Sequence, residues 1–262
     1  MRVLTPGTEF AAFVGRIKTA PARVLMLDYD GTLAPFHVEP ARAVPYEGVI
    51  AMLEEIVNAG MTRVILVSGR PAEALPPLLP LTRLPEIWGA HGWERLLPDG
   101  RLLVEEPDEA ALEALAHAFR ITRETLPAGV RLEQKRSSLA MHWRGLSAQS
   151  AADIHARAFA AWSPLVLEHA LEILPFAGGL ELRAHGRNKQ YAVQAVLSET
   201  PQGSAVAYLG DDITDEDAFR AVKPRGLAVL VRPEFRETAA DVWIHPPDEL
   251  LSFMRHWAPK KA

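Results

Sequence analysis

Two segments far apart in the sequence are rich in aspartate. Asp28 and Asp30 follow one apolar run, and Asp211, Asp212 and Asp215 follow another. Ligands of open α/β sheets bind beyond the carboxyl ends of the strands, so neighbouring strands would bring these carboxylates into one pocket. The anions would repel one another unless a cation lay among them. Carboxylate oxygens favour a hard ion such as Mg²⁺, which takes water and phosphate oxygens as its other ligands.

A phosphate ester suits such a pocket, because the cation neutralises the carboxylates and the phosphoryl oxygens together. We expect Asp28 to be the nucleophile that forms an aspartyl-phosphate. Asp30 would protonate the leaving alkoxide and later activate water. Asp211 would ligate Mg²⁺ directly, with Asp212 and Asp215 nearby or acting through water.

Further groups could hold the phosphate. Gly31 permits a tight turn whose backbone N–H groups can bind phosphate oxygens. Ser68 can donate a hydrogen bond, and Lys189 supplies a positive charge if the start of its helix lies at the site. The groups that we expect around the phosphate are Gly31, Thr32, Ser68, Gly69, Arg70 and Lys189.

Each segment alone also has a structural interpretation. Residues 28–32 could be a turn with a helix cap, and residues 210–217 could be the capped start of an acidic helix. A lysine near a helix start is usually a solvated side chain. All the segments, however, follow or lie beside the ends of predicted core strands. Their joint occurrence favours a catalytic phosphate site.

The elements that would position these residues alternate between strand and helix. This alternation predicts an α/β fold with a Rossmann-like, mostly parallel sheet. The predicted strands are 24–27, 64–67, 205–209 and 227–231, and the predicted helices are 47–58, 188–198 and 215–221.

The middle third has a different pattern, which predicts an α+β insert. Its predicted helices are 110–119 and 148–162, and its predicted extended segments are 130–134, 139–143, 165–168, 171–174 and 180–183. We therefore predict a discontinuous core of residues 1–103 and 185–262 around a cap of residues 104–184.

The composition excludes several classes of function. Lys and Arg number 28 against 33 Asp and Glu, a net charge of −5, which argues against a broad electrostatic grip on nucleic acid or anionic membrane. The absence of cysteine excludes disulfides, thiolate zinc sites and a cysteine nucleophile. No apolar run is long enough to cross a membrane, and no secretory signal is recognisable. We expect a cytoplasmic protein.

At these residues the sequence resembles the trehalose-6-phosphate phosphatase family of the haloacid dehalogenase superfamily. Residues 28–35, 68–70, 187–189 and 210–219 are similar to its first to fourth motifs. The resemblance covers nearly the whole chain and implies a core of the haloacid dehalogenase type. It implies Asp28 as nucleophile, Asp30 as acid and base, and Mg²⁺ held by Asp28, the backbone carbonyl of Asp30, and Asp211.

The predicted cap extends the resemblance at residues 133–135, 142–144 and 181–183, and residues 90–94 match a further segment of the family. The resemblance implies that sugar hydroxyls or the phosphate are contacted by Glu133, Lys135, Arg144 and Glu181. Residues two apart on a strand share a face, so Glu133 and Lys135 could instead line the solvent side of a half-buried sheet. The histidines at 91 and 142 could equally be structural.

The resemblance implies a hydrolase of trehalose biosynthesis, with trehalose 6-phosphate as substrate and a trehalose-phosphate synthase as pathway partner. Ala184 and Gln190 stand where the family often has proline and glycine. Sucrose phosphate, glucosylglycerol phosphate or a phosphorylated pseudo-disaccharide therefore remain open as substrates. A non-catalytic sugar-phosphate sensor is disfavoured, because it would not need the nucleophile, the acid–base residue and the metal carboxylates together. Asp30 likewise disfavours a receiver-like module that keeps its phosphate.

Overall fold

The computed structural model describes residues 1–125, 127, 129–176 and 178–259. The chain divides into two compact units, Met1–Val104 with Asn188–Ala262, and Glu105–Arg187. Their bounds lie close to those predicted, and the roles of catalytic core and cap stay predictions. None of the helices in the described part of the chain is long and apolar enough to span a membrane.

Strands and helices alternate in the first unit and are grouped differently in the second. The helices are α1 (Phe10–Thr19), α2 (Val49–Ala59), α3 (Glu109–Glu124), α4 (Ala148–Glu168), α5 (Lys189–Ser198), α6 (Glu216–Val222) and α7 (Asp248–Arg255). The strands are β1 (Arg2–Val3), β2 (Arg23–Leu27), β3 (Arg63–Val67), β4 (Glu86–Gly89), β5 (Glu94–Leu96), β6 (Leu102–Val104), β7 (Arg131–Gln134), β8 (Ser138–His142), β9 (Leu171–Phe176), β10 (Gly179–Ala184), β11 (Ala205–Gly210), β12 (Leu227–Val231) and β13 (Val242–Ile244).

The first unit is built on a nine-stranded sheet in the order β1-β13-β12-β11-β2-β3-β4-β5-β6. The strands from β13 to β4 are parallel, and β1, β5 and β6 extend the sheet antiparallel. β2 pairs with β11, with Leu27 opposite Leu209. Parallel strands present their carboxyl ends at one edge, so the residues after β2, β3 and β11 emerge together. The predicted Rossmann-like α/β core is confirmed.

Both faces of this sheet are covered by apolar side chains, as expected for parallel strands between helices. Leu27 lies in a buried cluster with residues of α1, α2 and α7. Met26, its neighbour on the strand, lies in a second cluster with residues of α5 and α6. Adjacent strand residues point to opposite faces, so the continuous apolar run of β2 serves both clusters. The strand ends are thereby held rigidly.

The second unit contains a four-stranded antiparallel sheet in the order β7-β8-β10-β9. The two helices of this unit, α3 and α4, contact each other and the sheet. Between them, Trp162 Nε1 donates a hydrogen bond of 2.9 Å to Thr122 Oγ1, and both residues are buried. The unit thus has a core of its own.

One predicted element is wrong. Residues 165–168, predicted as extended, continue α4 as far as Glu168, and Pro164 lies inside the helix. The buried residues of α4 are Ile154, Ala158, Trp162 and Leu165, which maintain helical spacing across the proline. Burying Trp162 and Leu165 on one face therefore outweighs the backbone donor that proline lacks.

Candidate active site

Strand pairing brings the two aspartate segments together. Asp28 follows β2 and Asp211 follows β11, and the N–H of Asp28 donates to the carbonyl oxygen of Leu209 at 2.8 Å. The carboxylates of Asp28, Asp211 and Asp215 each offer an oxygen within 4.8 Å of the others, and all three are buried. Asp215 thus belongs to this group, whereas the sequence predicts Asp212 as the further metal residue and Asp215 only nearby or acting through water. The side chain of Asp212 accepts from the N–H of Ile213 at 2.8 Å and caps the following turn.

Lys189 is the buried cation of this cluster. It is the first residue of α5, and its Nζ donates to Asp28 Oδ1 and Asp215 Oδ1 at 2.7 Å each. Burial alone would lower the pKa of Lys189, but the carboxylates of Asp215 and Asp28 more than offset it and hold that pKa above its usual value. Lys189 is therefore a fixed positive charge, as its predicted role requires.

Asp28 and Asp211 are both disfavoured as ionised groups. Burial raises the pKa of Asp28 to about 7, although Lys189 opposes the shift. Burial and the charge of Asp28 raise the pKa of Asp211 well above its usual value. Burial is the main cause of both shifts, and the charges of neighbouring aspartates add to each. A divalent cation would relieve both.

The surroundings of Asp211 fit such a cation. Asp211 Oδ1 is buried and accepts no hydrogen bond from any residue in the described ranges. A Cβ on Gly31 would lie 2.1 Å from Asp211 Oδ2, so glycine, with its positive φ of 86°, leaves this carboxylate its space. Oxygen-only donors with one unsatisfied acceptor suit a hard ion such as Mg²⁺.

Asp215 is fully buried, and both of its carboxylate oxygens accept hydrogen bonds. The sequence predicts this residue near the metal but indicates none of these bonds. Its Oδ1 accepts from Lys189 Nζ and from Tyr208 OH, at 2.7 and 2.5 Å. Its Oδ2 accepts from the N–H groups of Asp211 and Asp212, at 3.1 and 3.0 Å. These bonds make Asp215 an organiser of the cluster. The acidic segment 210–217 indicates a capped helix start, but nothing in the sequence indicates that Tyr208 would donate to Asp215.

The residues after Asp28 form a tight turn around this predicted nucleophile. The N–H of Gly31 donates to the carbonyl oxygen of Ala34 at 2.7 Å, so the turn itself uses a donor that we predicted for phosphate. Thr32 Oγ1 donates to Asp28 Oδ2 at 3.2 Å. Thr32 and Lys189 therefore each bind one carboxylate oxygen of Asp28 and fix its orientation.

The second motif holds the predicted acid–base residue. Arg70 donates Nε and Nη2 to the two carboxylate oxygens of Asp30, both at 2.6 Å, and Nη1 to the carbonyl oxygen of Pro40 at 2.9 Å. Ser68 Oγ, which is buried, accepts from the N–H of Arg70 at 3.2 Å. The structure therefore places Arg70 against Asp30, whereas we predicted a contact with phosphate.

Two strained residues support this loop. Ala90 and His91 both have positive φ, 47° and 56°, which is rare for residues other than glycine and tends to occur at functional sites. Their N–H groups donate to the carbonyl oxygens of Arg70 and Ser68, at 2.7 and 3.1 Å. A Cβ on Gly69 would lie 2.6 Å from the His91 ring. Neither left-handed residue was foreseeable from the sequence.

In the second unit the predicted cap residues cluster on one sheet. Glu133 and Glu181 lie on either side of Ala140 in the register of β7, β8 and β10, so they share a face. Glu181 is buried, and its Oε1 accepts from Lys135 Nζ at 3.0 Å and from Ser138 Oγ at 2.7 Å.

The other half of this cluster surrounds Glu133. Its Oε2 lies 3.0 Å from His142 Nε2 and accepts from Arg131 Nη1 at 2.9 Å. Arg144 follows β8, and a Cβ on Gly178 would lie 2.9 Å from its Nε. Four predicted cap residues therefore lie on or beside one four-stranded sheet.

We expect the second unit to lose stability in acid because the Glu133 carboxylate becomes protonated. The hydrogen bond from His142 lowers the pKa of Glu133 to about 2, against an ordinary value of 4.5. A lowered pKa in the folded state gives stability that is present above pH 4.5 and lost as pH falls towards 2. Glu133→Gln should lose less stability than wild type between pH 5 and 3, measured as the urea midpoint. Equal loss of stability in Glu133→Gln and wild type over this pH range would contradict the prediction. Glu113→Gln, at an exposed glutamate of the same unit, is the control and should behave as wild type.

Known proteins with similar sequences and structures point to one family. The sequence model of the family described as trehalose-phosphatase matches residues 26–241. The trehalose-phosphate phosphatase of Mycobacterium marinum is 32% identical over 247 residues, which cover 90% of this chain and 61% of that protein. The chain thus spans about three fifths of the length of this curated relative.

Solved structures share the fold. The C-terminal domain of the Candida albicans trehalose-6-phosphate phosphatase has a TM-score of 0.82 at 20% identity, covering 98% of this chain and 99% of that one. A phosphatase of the HAD enzyme superfamily from Bacteroides thetaiotaomicron has a TM-score of 0.60 at 15% identity, covering 97% of this chain and 98% of that one. At these identities the likeness concerns the fold alone. The match of the family's sequence model, from β2 to the residue before β13, shows that this chain belongs to the trehalose-phosphatase family.

Proposed function

We propose that this chain is a Mg²⁺-dependent phosphatase that hydrolyses trehalose 6-phosphate to trehalose and phosphate through an aspartyl-phosphate. The observation that carries the proposal is the buried cluster of Asp28, Asp211 and Asp215 around Lys189, in a chain of the trehalose-phosphatase family. A nucleophile, a fixed cation and an unsatisfied carboxylate oxygen are the parts that transfer of a phosphoryl group requires.

In the first half of the reaction, a carboxylate oxygen of Asp28 attacks phosphorus. The bond from phosphorus to the sugar oxygen breaks, and its electron pair leaves with that oxygen, which takes a proton from Asp30. Lys189 and Thr32 orient the attacking carboxylate. In the second half, water attacks the aspartyl-phosphate after giving a proton to Asp30, and phosphate and free Asp28 result.

Mg²⁺ would be held by Asp28, Asp211 and the backbone carbonyl of Asp30, with Asp212 close by. The bound ion neutralises the carboxylates and the phosphoryl oxygens. Asp215, whose oxygens are occupied by four donors, keeps Lys189 and the Asp211 segment in place. Ser68, Gly69 and the turn at Gly31 are assigned to the phosphate.

We assign recognition of the sugar to Glu133, Lys135, Arg144 and Glu181. A disaccharide presents many hydroxyl groups, which a cluster of carboxylates and cations can bind. The contact of Lys135 with the buried Glu181 supports this assignment, because desolvating a charged pair can cost as much free energy as the attraction returns, and a gain in stability therefore does not explain the pair. Cytoplasmic location and a trehalose-phosphate synthase as supplier of the substrate complete the proposal.

Phosphate release from a panel of sugar phosphates tests the proposal. We expect turnover of trehalose 6-phosphate with Mg²⁺, a loss of at least about 100-fold with EDTA, and recovery with excess Mg²⁺. The panel also contains sucrose phosphate, glucosylglycerol phosphate and glucose 6-phosphate. Turnover unaffected by EDTA would contradict the proposed Mg²⁺ dependence. Turnover of another sugar phosphate but not of trehalose 6-phosphate would contradict the proposed substrate and leave the proposed mechanism in place.

A phosphatase of the same mechanism acting on another glycosyl phosphate is the second candidate. Ala184 and Gln190, which depart from the family pattern, favour it. A non-catalytic sensor has less support, because the proposed nucleophile, acid–base residue and metal carboxylate are all present as Asp28, Asp30 and Asp211.

A further inference from the structure

The main chain of Asp211 and Asp212 is hydrogen-bonded by side chains on two sides. On one side Asp215 Oδ2 accepts from the N–H groups of both residues, at 3.1 and 3.0 Å. On the other, Arg236 donates Nε to the carbonyl oxygen of Asp211 at 3.1 Å and Nη2 to that of Asp212 at 2.6 Å. Arg232 Nη1 adds a bond of 3.3 Å to the Asp211 carbonyl. Every backbone donor and acceptor of this dipeptide is therefore paired.

Arg236 is itself held in place. Its Nη1 donates to Glu216 Oε1 and to the carbonyl oxygen of Glu237, the latter at 2.9 Å. Glu216 also accepts from Thr238 Oγ1 at 2.8 Å and from the N–H of Ala239 at 2.7 Å. The Arg236 side chain is 18% exposed, so water competes little for these bonds. A guanidinium can bind two adjacent carbonyls and a carboxylate at once, which a lysine ammonium on a flexible stem cannot do with the same geometry.

These backbone hydrogen bonds affect the position of the Asp211 side chain. Asp211 Oδ1 accepts no hydrogen bond from any described residue, so the orientation of this carboxylate is fixed mainly by the backbone that carries it. We propose that Arg236 is a positioning residue that holds the Asp211–Asp212 backbone in the conformation that binds the divalent cation. The proposal rests on the metal site of the proposed function and assigns Arg236 no contact with substrate.

Loss of Arg236 should weaken metal binding more than catalysis. Residues that orient metal ligands typically change metal affinity by about 10- to 100-fold, and we expect Arg236→Gln to raise the Kd for Mn²⁺ by that factor. The Mg²⁺ concentration for half-maximal activity should rise in parallel, while kcat at saturating Mg²⁺ stays within about threefold of wild type. Arg236→Lys keeps the positive charge but loses the planar guanidinium, so its Kd for Mn²⁺ should lie between those of wild type and Arg236→Gln.

Mn²⁺ affinity, measured by electron paramagnetic resonance and calorimetry without substrate, is the decisive test. The matched control is Arg225→Gln. Arg225 also donates its guanidinium to main-chain carbonyls: that of Leu197 in the last turn of α5, and those of Thr200 and Pro201 just after the helix, at 2.7 and 2.8 Å. All three lie at the opposite end of α5 from Lys189. We expect Arg225→Gln to lower the thermal midpoint and to leave the Kd for Mn²⁺ unchanged.

Two results would overturn the role of Arg236 alone: wild-type Mn²⁺ affinity in Arg236→Gln, or an equal loss of affinity in Arg225→Gln. Absence of Mn²⁺ binding by the wild type would instead overturn the metal site of the proposed function, and this role with it. If Arg236→Gln does not fold, Glu216→Gln decides, because it keeps Arg236 and removes the charge that holds it. We expect a several-fold higher Kd for Glu216→Gln, and an unchanged Kd would count against the proposal.

Discussion

Asp28→Asn is expected to lower the rate of phosphate release by about 10⁴-fold or more and to leave the fold intact. An amide is not a nucleophile towards phosphorus, but its oxygen can still accept from Lys189, which retains Asp215 as its other partner. Because burial raises the pKa of Asp28 to about 7, stability is lost as pH rises from about 4 to about 7, and that loss is complete above pH 7. The variant should therefore be at least as stable as wild type at pH 8 without divalent ions.

The rate is measured as phosphate release from trehalose 6-phosphate, and stability as the thermal midpoint with EDTA. Asp241→Asn is the matched control, because Asp241 is a buried aspartate of the same unit that binds the N–H of Ala228 and Lys223 away from the cluster. This control should lose stability and keep its turnover. Turnover by Asp28→Asn near the wild-type rate would remove Asp28 as nucleophile.

Lys189→Met is expected to reduce both stability and activity. The substitution removes the ammonium that donates to Asp28 and Asp215, and it leaves two buried carboxylates without their cation. Removing one partner of a buried ion pair costs about 3–5 kcal/mol of unfolding free energy. Activity should fall by about 10²–10³-fold even at saturating Mg²⁺, because a fixed charge beside the phosphoryl group is lost.

A double-mutant cycle identifies the cause. In the Asp28→Asn/Lys189→Met protein the remaining repulsion is smaller, so part of the lost stability should return, as measured by urea unfolding with EDTA. Additive losses in the double variant would show that Lys189 and Asp28 are not coupled. Undiminished stability in Lys189→Met would contradict the buried-charge account altogether.

The location of the acidic residues could be predicted because two independent patterns coincide. An apolar run of strand length ends directly before Asp28, another ends one residue before Asp211, and parallel strands align their carboxyl ends. The choice between Asp212 and Asp215 could not be made in this way. It depends on Tyr208, Lys189 and backbone donors that three different elements bring to Asp215.

Other features of the site leave no local trace in the sequence. The left-handed backbone of Ala90 and His91 occurs without glycine, so no residue type announces it. The bond between Arg70 and Asp30 depends on how β2 and β3 pair. The continuation of α4 past Pro164 depends on the burial of Trp162 and Leu165 on one face, which only the packed structure shows.

The order of the segments has a consequence for how the protein is made. Asp28, the proposed nucleophile, follows β2, whereas Lys189 and Asp211 come after the inserted unit Glu105–Arg187. A nascent chain leaving the ribosome can complete the four-stranded sheet of that unit before β11, the central partner of β2, has been synthesised. The proposed catalytic cluster is therefore completed late in translation, and a chain that terminates before β11 would lack Asp211 and Asp215.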